Sequence, residues 1–150
     1  VVTTSSMSGI LPTEGGGAGA YTASKFAVTG MMEILRAELD AANTNIGASV
    51  YCPGLVATNI FELQKNVSAA FDEKGKAGPD DAAANTARIR QIIGAGMDPL
   101  EAARIVLAGI RNNDLFILSH PEFGPGLQER MEALLASLPQ TTAPAARLAQ

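Results

Sequence analysis

The feature that most constrains this chain is a tyrosine and a lysine four residues apart, at the start of a segment with helical periodicity. In the run YTASK, Tyr21 and Lys25 share one face of an α-helix. An ammonium group beside a phenol favours the phenolate, and a tyrosine tuned in this way can exchange a proton with an alcohol or a carbonyl group. The pair therefore indicates alcohol–carbonyl chemistry.

A serine lies where a ligand could reach it. The short β-branched run Val1–Thr4 predicts a buried strand, and Ser6 follows the carboxyl end of that strand. Open α/β sheets bind ligands at the carboxyl ends of their strands. The neighbouring Ser5 is turned to the opposite face by the period-two alternation of a strand. Ser6 is therefore the candidate donor to a substrate oxygen.

The rest of the chain alternates strands and helices. The predicted elements are a helix over 20–42, a strand over 47–51 stopped by Pro53 and Gly54, a short helix over 58–65, a weakly amphipathic helix over 80–95, a helix capped by Asp98, a strand over 115–119 and a helix over 125–138. This order predicts an α/β fold with a parallel sheet and helices on both faces. The Pro/Thr/Ala-rich residues 139–150 are expected to be a disordered tail.

Apolar stripes indicate which helix faces are buried. Val28, Met32, Leu35 and Leu39 predict the inner face of the first long helix, while Arg36 marks its wetter side. The inner face of the helix after Asp98 is predicted from Ala102, Ile105, Val106 and Ile110.

Three segments in this order resemble the short-chain dehydrogenase/reductase family. The family's Ser-Ser-x-x-Gly segment ends here at Gly9, its Tyr-x-x-x-Lys is residues 21–25, and its Pro-Gly-x-Val-x-Thr is residues 53–58. The resemblance extends from Val1 to about Ser119. It implies the C-terminal half of a Rossmann-like, doubly wound parallel sheet, with about three strands and flanking helices. Residues 1–138 are then expected to be half of one dehydrogenase domain, and the dinucleotide-binding N-terminal half to be absent from this chain.

The resemblance also implies an activity and a set of site residues. The activity is an NAD- or NADP-dependent interconversion of an alcohol and a ketone or aldehyde. The catalytic residues carried over by motif are Ser6, Tyr21 and Lys25, and the cofactor-binding residues are Tyr21, Lys25, Pro53, Gly54, Val56 and Thr58. The choice of cofactor and the direction of reaction stay open, since the family's glycine-rich turn and its NAD/NADP-selecting residue do not occur here.

The region 61–95 lies where the family carries its substrate lid, and its apolar side chains predict an apolar or aromatic substrate. The ending LFILSHPEF is similar to that of larger family members acting on hydroxylated aromatic or other bulky alcohols. The stretch 64–79 is predicted to be mobile and to order on substrate binding.

Composition narrows the possible partners. A net charge of −4 argues against nucleic-acid binding and against an anionic membrane surface. The single Cys52 is predicted to be a small buried apolar residue, and its isolation fits a reducing, cytoplasmic setting. The single His120 is predicted to be a loop residue rather than an acid–base group, and no metal site is expected.

A second apolar strip on the 20–42 helix predicts an interface. Its members are Ala27, Met31, Ile34, Ala37 and Ala41. Together with the family's habit of pairing this helix, the strip predicts a homodimer or homotetramer. Alternatives remain: a helix of the missing half could cover the strip, and the chain could be a non-catalytic binding or structural protein on the same fold, or an inert fragment without its cofactor half.

Overall fold

The computed structural model describes residues 1–12, 18–59 and 91–139. The chain divides into two compact units, 1–120 and 121–150. The first unit carries all the predicted site residues, so it is the one that positions the site.

A three-stranded parallel sheet forms the centre of the first unit. Its strands are β1 (Val2–Thr4), β2 (Ser49–Cys52) and β3 (Phe116–Leu118), in the spatial order β1-β2-β3. Thr3 pairs with Val50, and Tyr51 pairs with Ile117. The predicted parallel sheet is confirmed, and its carboxyl edge is the one that Ser6 and Pro53 follow.

Within the described residues, two long helices pack against this sheet. Helix α1 spans Gly19–Ala41, one residue from the predicted start and one from the predicted end. Helix α2 spans Pro99–Arg111, and the Asp98 side chain accepts hydrogen bonds from two amides of its first turn. The predicted N-cap is therefore confirmed. A short 3-10 helix, Met7–Gly9, links β1 to the segment before α1.

The helices lie on opposite faces of the sheet. Tyr51 and Ile117 form a buried cluster with Ala102 of α2. The neighbours of Tyr51 along β2, Val50 and Cys52, are fully buried and point to the other face, as the period of a strand requires. Helix α1 contacts β2 as well, and its Met32 is buried. The arrangement is the doubly wound layering that the sequence predicted.

The prediction that the first strand is buried is wrong. Val1 and Val2 are 61% and 42% exposed, because β1 lies at the edge of the sheet that the structure describes.

Two side chains outside β1 also differ from their predicted positions. Ile110 was expected in the core of α2 but is 40% exposed, because Ala102 and Gly109, one full heptad apart, define the buried face. Arg36 was expected to face solvent. Its guanidinium instead donates to the carbonyls of Ala48 and Asn113, at 3.3 and 3.1 Å.

The second unit contains a 3-10 helix, Pro121–Phe123, followed by α3 (Gly124–Ala136). Pro125 stands in the first turn of α3, where its missing N–H costs nothing. The predicted helix over 125–138 is thus confirmed with slightly different ends. Among the residues that the structure describes, no helix is long and apolar enough to cross a membrane.

Candidate active site

Two of the three predicted motif segments meet at the carboxyl edge of β1 and β2. The amide of Ser5 donates to the Tyr51 carbonyl, and the amide of Met7 donates to the Pro53 carbonyl, each at 2.8 Å. The backbone after β1 therefore continues alongside the backbone after β2. This pairing places the Ser6 region directly beside the Pro53–Gly54 turn.

Hydroxyl groups connect the same edge to helix α1. Ser5 Oγ lies 2.9 Å from the Lys25 carbonyl oxygen and 3.0 Å from Thr29 Oγ1, which itself lies 3.1 Å from that carbonyl. Ser5 and Thr29 are both 3% exposed. The buried triangle anchors the turn of α1 that carries Lys25 to the end of β1. Ser5 thus points to the helix.

Gly9 allows this close approach. A Cβ atom at position 9 would lie 2.7 Å from the Lys25 carbonyl oxygen and 2.8 Å from Thr29 Oγ1, and would also collide with Ser5 Oγ. Only glycine lets the 3-10 helix pack so closely on α1. The glycine of the Ser-Ser-x-x-Gly motif therefore positions the two segments that contain Ser6 and Lys25.

Ser6 caps the 3-10 helix. Its extended backbone lets its Oγ accept a hydrogen bond from the Ser8 amide at 3.1 Å, and the residue is half-buried. Because Oγ acts as an acceptor toward Ser8, its own O–H can donate elsewhere. Within the part of the chain that the structure describes, no hydrogen bond joins the Ser6 and Tyr21 hydroxyls.

Tyr21 and Lys25 lie in the first two turns of α1 and share one face, as their spacing predicted. Lys25 Nζ stands over the Tyr21 ring, 5.6 Å from its centroid, at cation–π distance. The Tyr21 residue is 49% exposed. The phenol is therefore accessible to a ligand and has a cation close to it.

The turn after β2 is held on one side and open on the other. Met97 donates its amide to the Leu55 carbonyl and accepts from the Ala57 amide, both at 2.9 Å, so Val56 forms a parallel bridge with Met97. In the described ranges the Val56 amide donates no hydrogen bond, and Thr58 is exposed. Within those ranges, no protein group occupies the Val56 amide.

Sequence reasoning missed the role of His120. The residue does lie just after β3, outside regular structure, but it is only 8% exposed. Its Nδ1 accepts from the Gly54 amide at 3.0 Å, and its Nε2 lies 3.0 Å from the Leu55 carbonyl oxygen. The available signal was its position: a polar residue at the carboxyl end of a parallel strand, the edge where Pro53 and Gly54 also lie.

Cys52 ends β2 beneath this edge. The residue is fully buried, and burial raises the pKa of its thiol. A protonated, inaccessible thiol does not serve as a nucleophile. The prediction of a small buried apolar residue is confirmed. Residues 1–12, 18–59 and 91–139 contain no group of three His, Cys, Asp or Glu side chains that could hold a metal ion.

Several predictions fall outside the described residues. They are the glycine-rich loop at 15–17, residues 60–65 of the helix predicted over 58–65, residues 61–90 of the lid predicted over 61–95, the stretch 64–79 predicted to be mobile, residues 80–90 of the helix predicted over 80–95, and the tail from residue 140.

Comparisons with known proteins point to one family. The family model for short chain dehydrogenase matches residues 1–68. The chain is 27% identical over 137 residues to the CLA biosynthesis dehydrogenase/reductase of Lactiplantibacillus plantarum, and 30% identical over 138 residues to a C alpha-dehydrogenase of Sphingobium sp.. These matches cover 90% and 92% of this chain but 47% and 43% of the relatives, so the chain spans less than half of their length.

The fold comparison agrees. A short-chain dehydrogenase/reductase from Burkholderia phymatum, solved in complex with NAD, superposes with a TM-score of 0.77 at 24% identity. The superposition covers 95% of this chain and 50% of that one. The family-model match over residues 1–68, the two curated relatives and the parallel sheet with a helix on each face all support one conclusion: the chain resembles the short-chain dehydrogenase/reductase family in sequence and in fold.

Proposed function

We propose that this chain supplies the catalytic half of an NAD(P)-dependent oxidoreductase that interconverts an alcohol and a ketone or aldehyde. The observation that carries the proposal is the convergence of the motif segments. Met7 hydrogen-bonds to Pro53, and Ser5 and Gly9 pack on the Lys25 turn. These contacts support the proposal because they hold together the segments that carry a hydroxyl donor, a phenol with a cation over its ring and the backbone turn after β2.

Each catalytic residue has a distinct task in this proposal. Tyr21 gives a proton to the carbonyl oxygen in reduction or takes it from the alcohol in oxidation. Lys25, whose ammonium group lies over the phenol ring, stabilises the phenolate that forms when the proton leaves. Ser6, whose oxygen is held by the Ser8 amide, donates its O–H to the substrate oxygen and stabilises the negative charge that develops there.

The proposed cofactor is NAD or NADP, which when bound supplies or accepts the hydride. The donor set fits the carboxamide end of a nicotinamide, because the Val56 amide and the Thr58 hydroxyl lie on the same open turn as Pro53 and Gly54. Tyr21 and Lys25 would contact the adjacent ribose. The Burkholderia phymatum relative solved with NAD supports this choice.

We also propose a domain organisation, a substrate class and a cellular location for this protein. Residues 1–138 form the C-terminal half of a single dehydrogenase domain whose other half binds most of the dinucleotide. The substrate is an apolar or aromatic alcohol or carbonyl compound. The protein acts in the cytoplasm, which fits the buried, free thiol of Cys52.

The experiment that tests the proposal is turnover by the intact protein. NAD and NADP are supplied separately with a panel of secondary alcohols bearing aromatic or aliphatic groups, and reduced nicotinamide is followed by its fluorescence. We expect turnover with one dinucleotide and at least one apolar alcohol. If the folded protein binds neither dinucleotide and turns over no member of the panel, or of the matching ketones, the proposal is wrong.

We also propose that the intact protein is a homodimer or homotetramer through α1. The face carrying Ala27, Ala37 and Ala41 also exposes Met31 by 71% and Ile34 by 62%. Exposed apolar surface of this kind marks an interface. Light scattering at micromolar concentration should return at least twice the monomer mass, and Ile34→Glu should lower it. A monomer mass for the wild type would show instead that another segment of the same polypeptide covers the face.

A further inference from the structure

His120 links β3 to the turn proposed to bind the nicotinamide. Its buried ring lies between two backbone groups of that turn, the Gly54 amide at 3.0 Å from Nδ1 and the Leu55 carbonyl oxygen at 3.0 Å from Nε2. These contacts join residues 66 and 65 positions apart in the chain. The histidine therefore holds the turn to a strand on the opposite side of β2 from the Ser6 segment.

The backbone partners fix the protonation of the ring. An amide N–H only donates and a carbonyl oxygen only accepts, so Nδ1 carries the lone pair and Nε2 carries the hydrogen. Ser119 Oγ lies 2.8 Å from the same Nδ1 and must therefore donate to it. The Tyr51 hydroxyl, 2.9 Å from Ser119 Oγ, then donates to Ser119. These two contacts have one consistent direction, from Tyr51 to Ser119 to His120.

The carbonyl that His120 contacts, that of Leu55, is part of the planar Leu55–Val56 peptide group. The Leu55 carbonyl and the Val56 amide belong to the same peptide, which is trans, so the two bonds point in opposite directions. The Leu55 oxygen accepts from both His120 Nε2 and the Met97 amide. Holding that oxygen with two donors also fixes the direction of the Val56 N–H, which donates no other hydrogen bond in the described parts of the chain.

We propose that His120, as its neutral Nε2–H tautomer, is a positioning residue that aims the Val56 amide at the nicotinamide carboxamide. The inference rests on the proposed function, because it assigns the Val56 amide to the cofactor. His120 does not touch the reacting atoms. It acts through the Leu55–Val56 peptide, so its removal should weaken cofactor binding more than it slows the proton transfer by Tyr21.

Two substitutions at His120 distinguish the hydrogen bond made by Nδ1 from the one made by Nε2. In His120→Gln the side-chain amide nitrogen can replace Nε2 as the donor to Leu55. In His120→Asn the side-chain oxygen can replace Nδ1 as the acceptor from Gly54, but no donor reaches Leu55. Because His120→Asn loses the hydrogen bond to Leu55, we expect the Kd for reduced dinucleotide to rise by roughly three- to tenfold in His120→Asn and by less in His120→Gln.

A matched control separates positioning from stability. In Gly109→Ala, the new Cβ would lie 2.6 Å from Ile117 Cγ1, on the face of the sheet that α2 covers. We expect this variant to unfold more easily and to keep the wild-type Kd. If the two His120 variants leave Kd unchanged, or if Kd rises equally in Asn, Gln and Gly109→Ala proteins in step with lost stability, the positioning role is wrong while the proposed function stands.

A measurement on the unsubstituted protein covers the case in which the variants fail to fold. Nitrogen-15 NMR of the intact protein reads the tautomer of His120 directly. We expect Nε2 protonated and Nδ1 unprotonated, and a protonated Nδ1 would overturn the inference. If the wild type binds neither dinucleotide, the proposed function fails and the positioning role fails with it.

Discussion

Replacing Tyr21 by phenylalanine in the intact protein should lower kcat by about 10²–10⁴-fold, the usual contribution of a general acid or base. The substitution deletes one hydroxyl from a side chain that is 49% exposed, and it leaves the ring beneath the Lys25 ammonium. The unfolding free energy and the Kd for the dinucleotide should therefore change little. Steady-state kinetics with a direct binding titration measures both quantities.

The second tyrosine provides a matched control. Tyr51→Phe also deletes one hydroxyl, but from a buried side chain whose oxygen lies 2.9 Å from Ser119 Oγ. We expect this variant to lose about 0.5–1.5 kcal/mol of stability, as for one buried hydrogen bond, and to keep far more of its rate than Tyr21→Phe. A Tyr21→Phe enzyme that retains more than half of the wild-type kcat would remove Tyr21 from the mechanism.

Gly9→Ala should lower the unfolding free energy by about 1–3 kcal/mol, the cost of overpacking a tight contact. The added methyl group would meet the Lys25 carbonyl oxygen at 2.7 Å, and a backbone oxygen within a helix cannot move aside cheaply. Relief requires the 3-10 helix to shift away from α1, which also separates the Ser6 segment from the Lys25 turn. Denaturant unfolding measures the loss of stability.

Gly19→Ala is the control for this substitution. Gly19 is the exposed first residue of α1, and a Cβ atom there meets nothing within 4 Å. Its effect should stay within about 0.5 kcal/mol, as for ordinary surface changes. Equal stability of the Gly9→Ala and Gly19→Ala proteins would show that the contact between the 3-10 helix and α1 relaxes freely.

Local chemistry explains why much of the fold could be predicted from the sequence. The β-branched run before Thr4, the apolar stripe through Met32 and the Asp98-Pro99 cap each depend on residues within one or two turns of one another. The strands, the long helix and the capped helix were therefore found nearly at their observed ends. The placement of Tyr21 and Lys25 on the same face of the helix could be predicted in the same way from their four-residue spacing.

The contacts that could not be predicted join residues far apart in sequence. His120 is hydrogen-bonded to backbone atoms of Gly54 and Leu55, and the residues next to it in sequence do not indicate those partners. Arg36 looked like a solvent-facing charge until tertiary structure brought the carbonyls of Ala48 and Asn113 within reach. Backbone acceptors carry no sequence signature, so side chains that bind them are read as surface or loop residues.

Transfer of a labelled hydride is the most direct test of the proposed reaction at this site. The intact protein is given NAD or NADP and a secondary alcohol carrying deuterium on its carbinol carbon, and the dinucleotide is then examined by mass spectrometry. We expect the label to move to the nicotinamide of the reduced cofactor, and Tyr21→Phe to slow its appearance greatly although the cofactor stays bound. Deuterium released to water, with the ketone formed and the nicotinamide unlabelled, would contradict hydride transfer at this site.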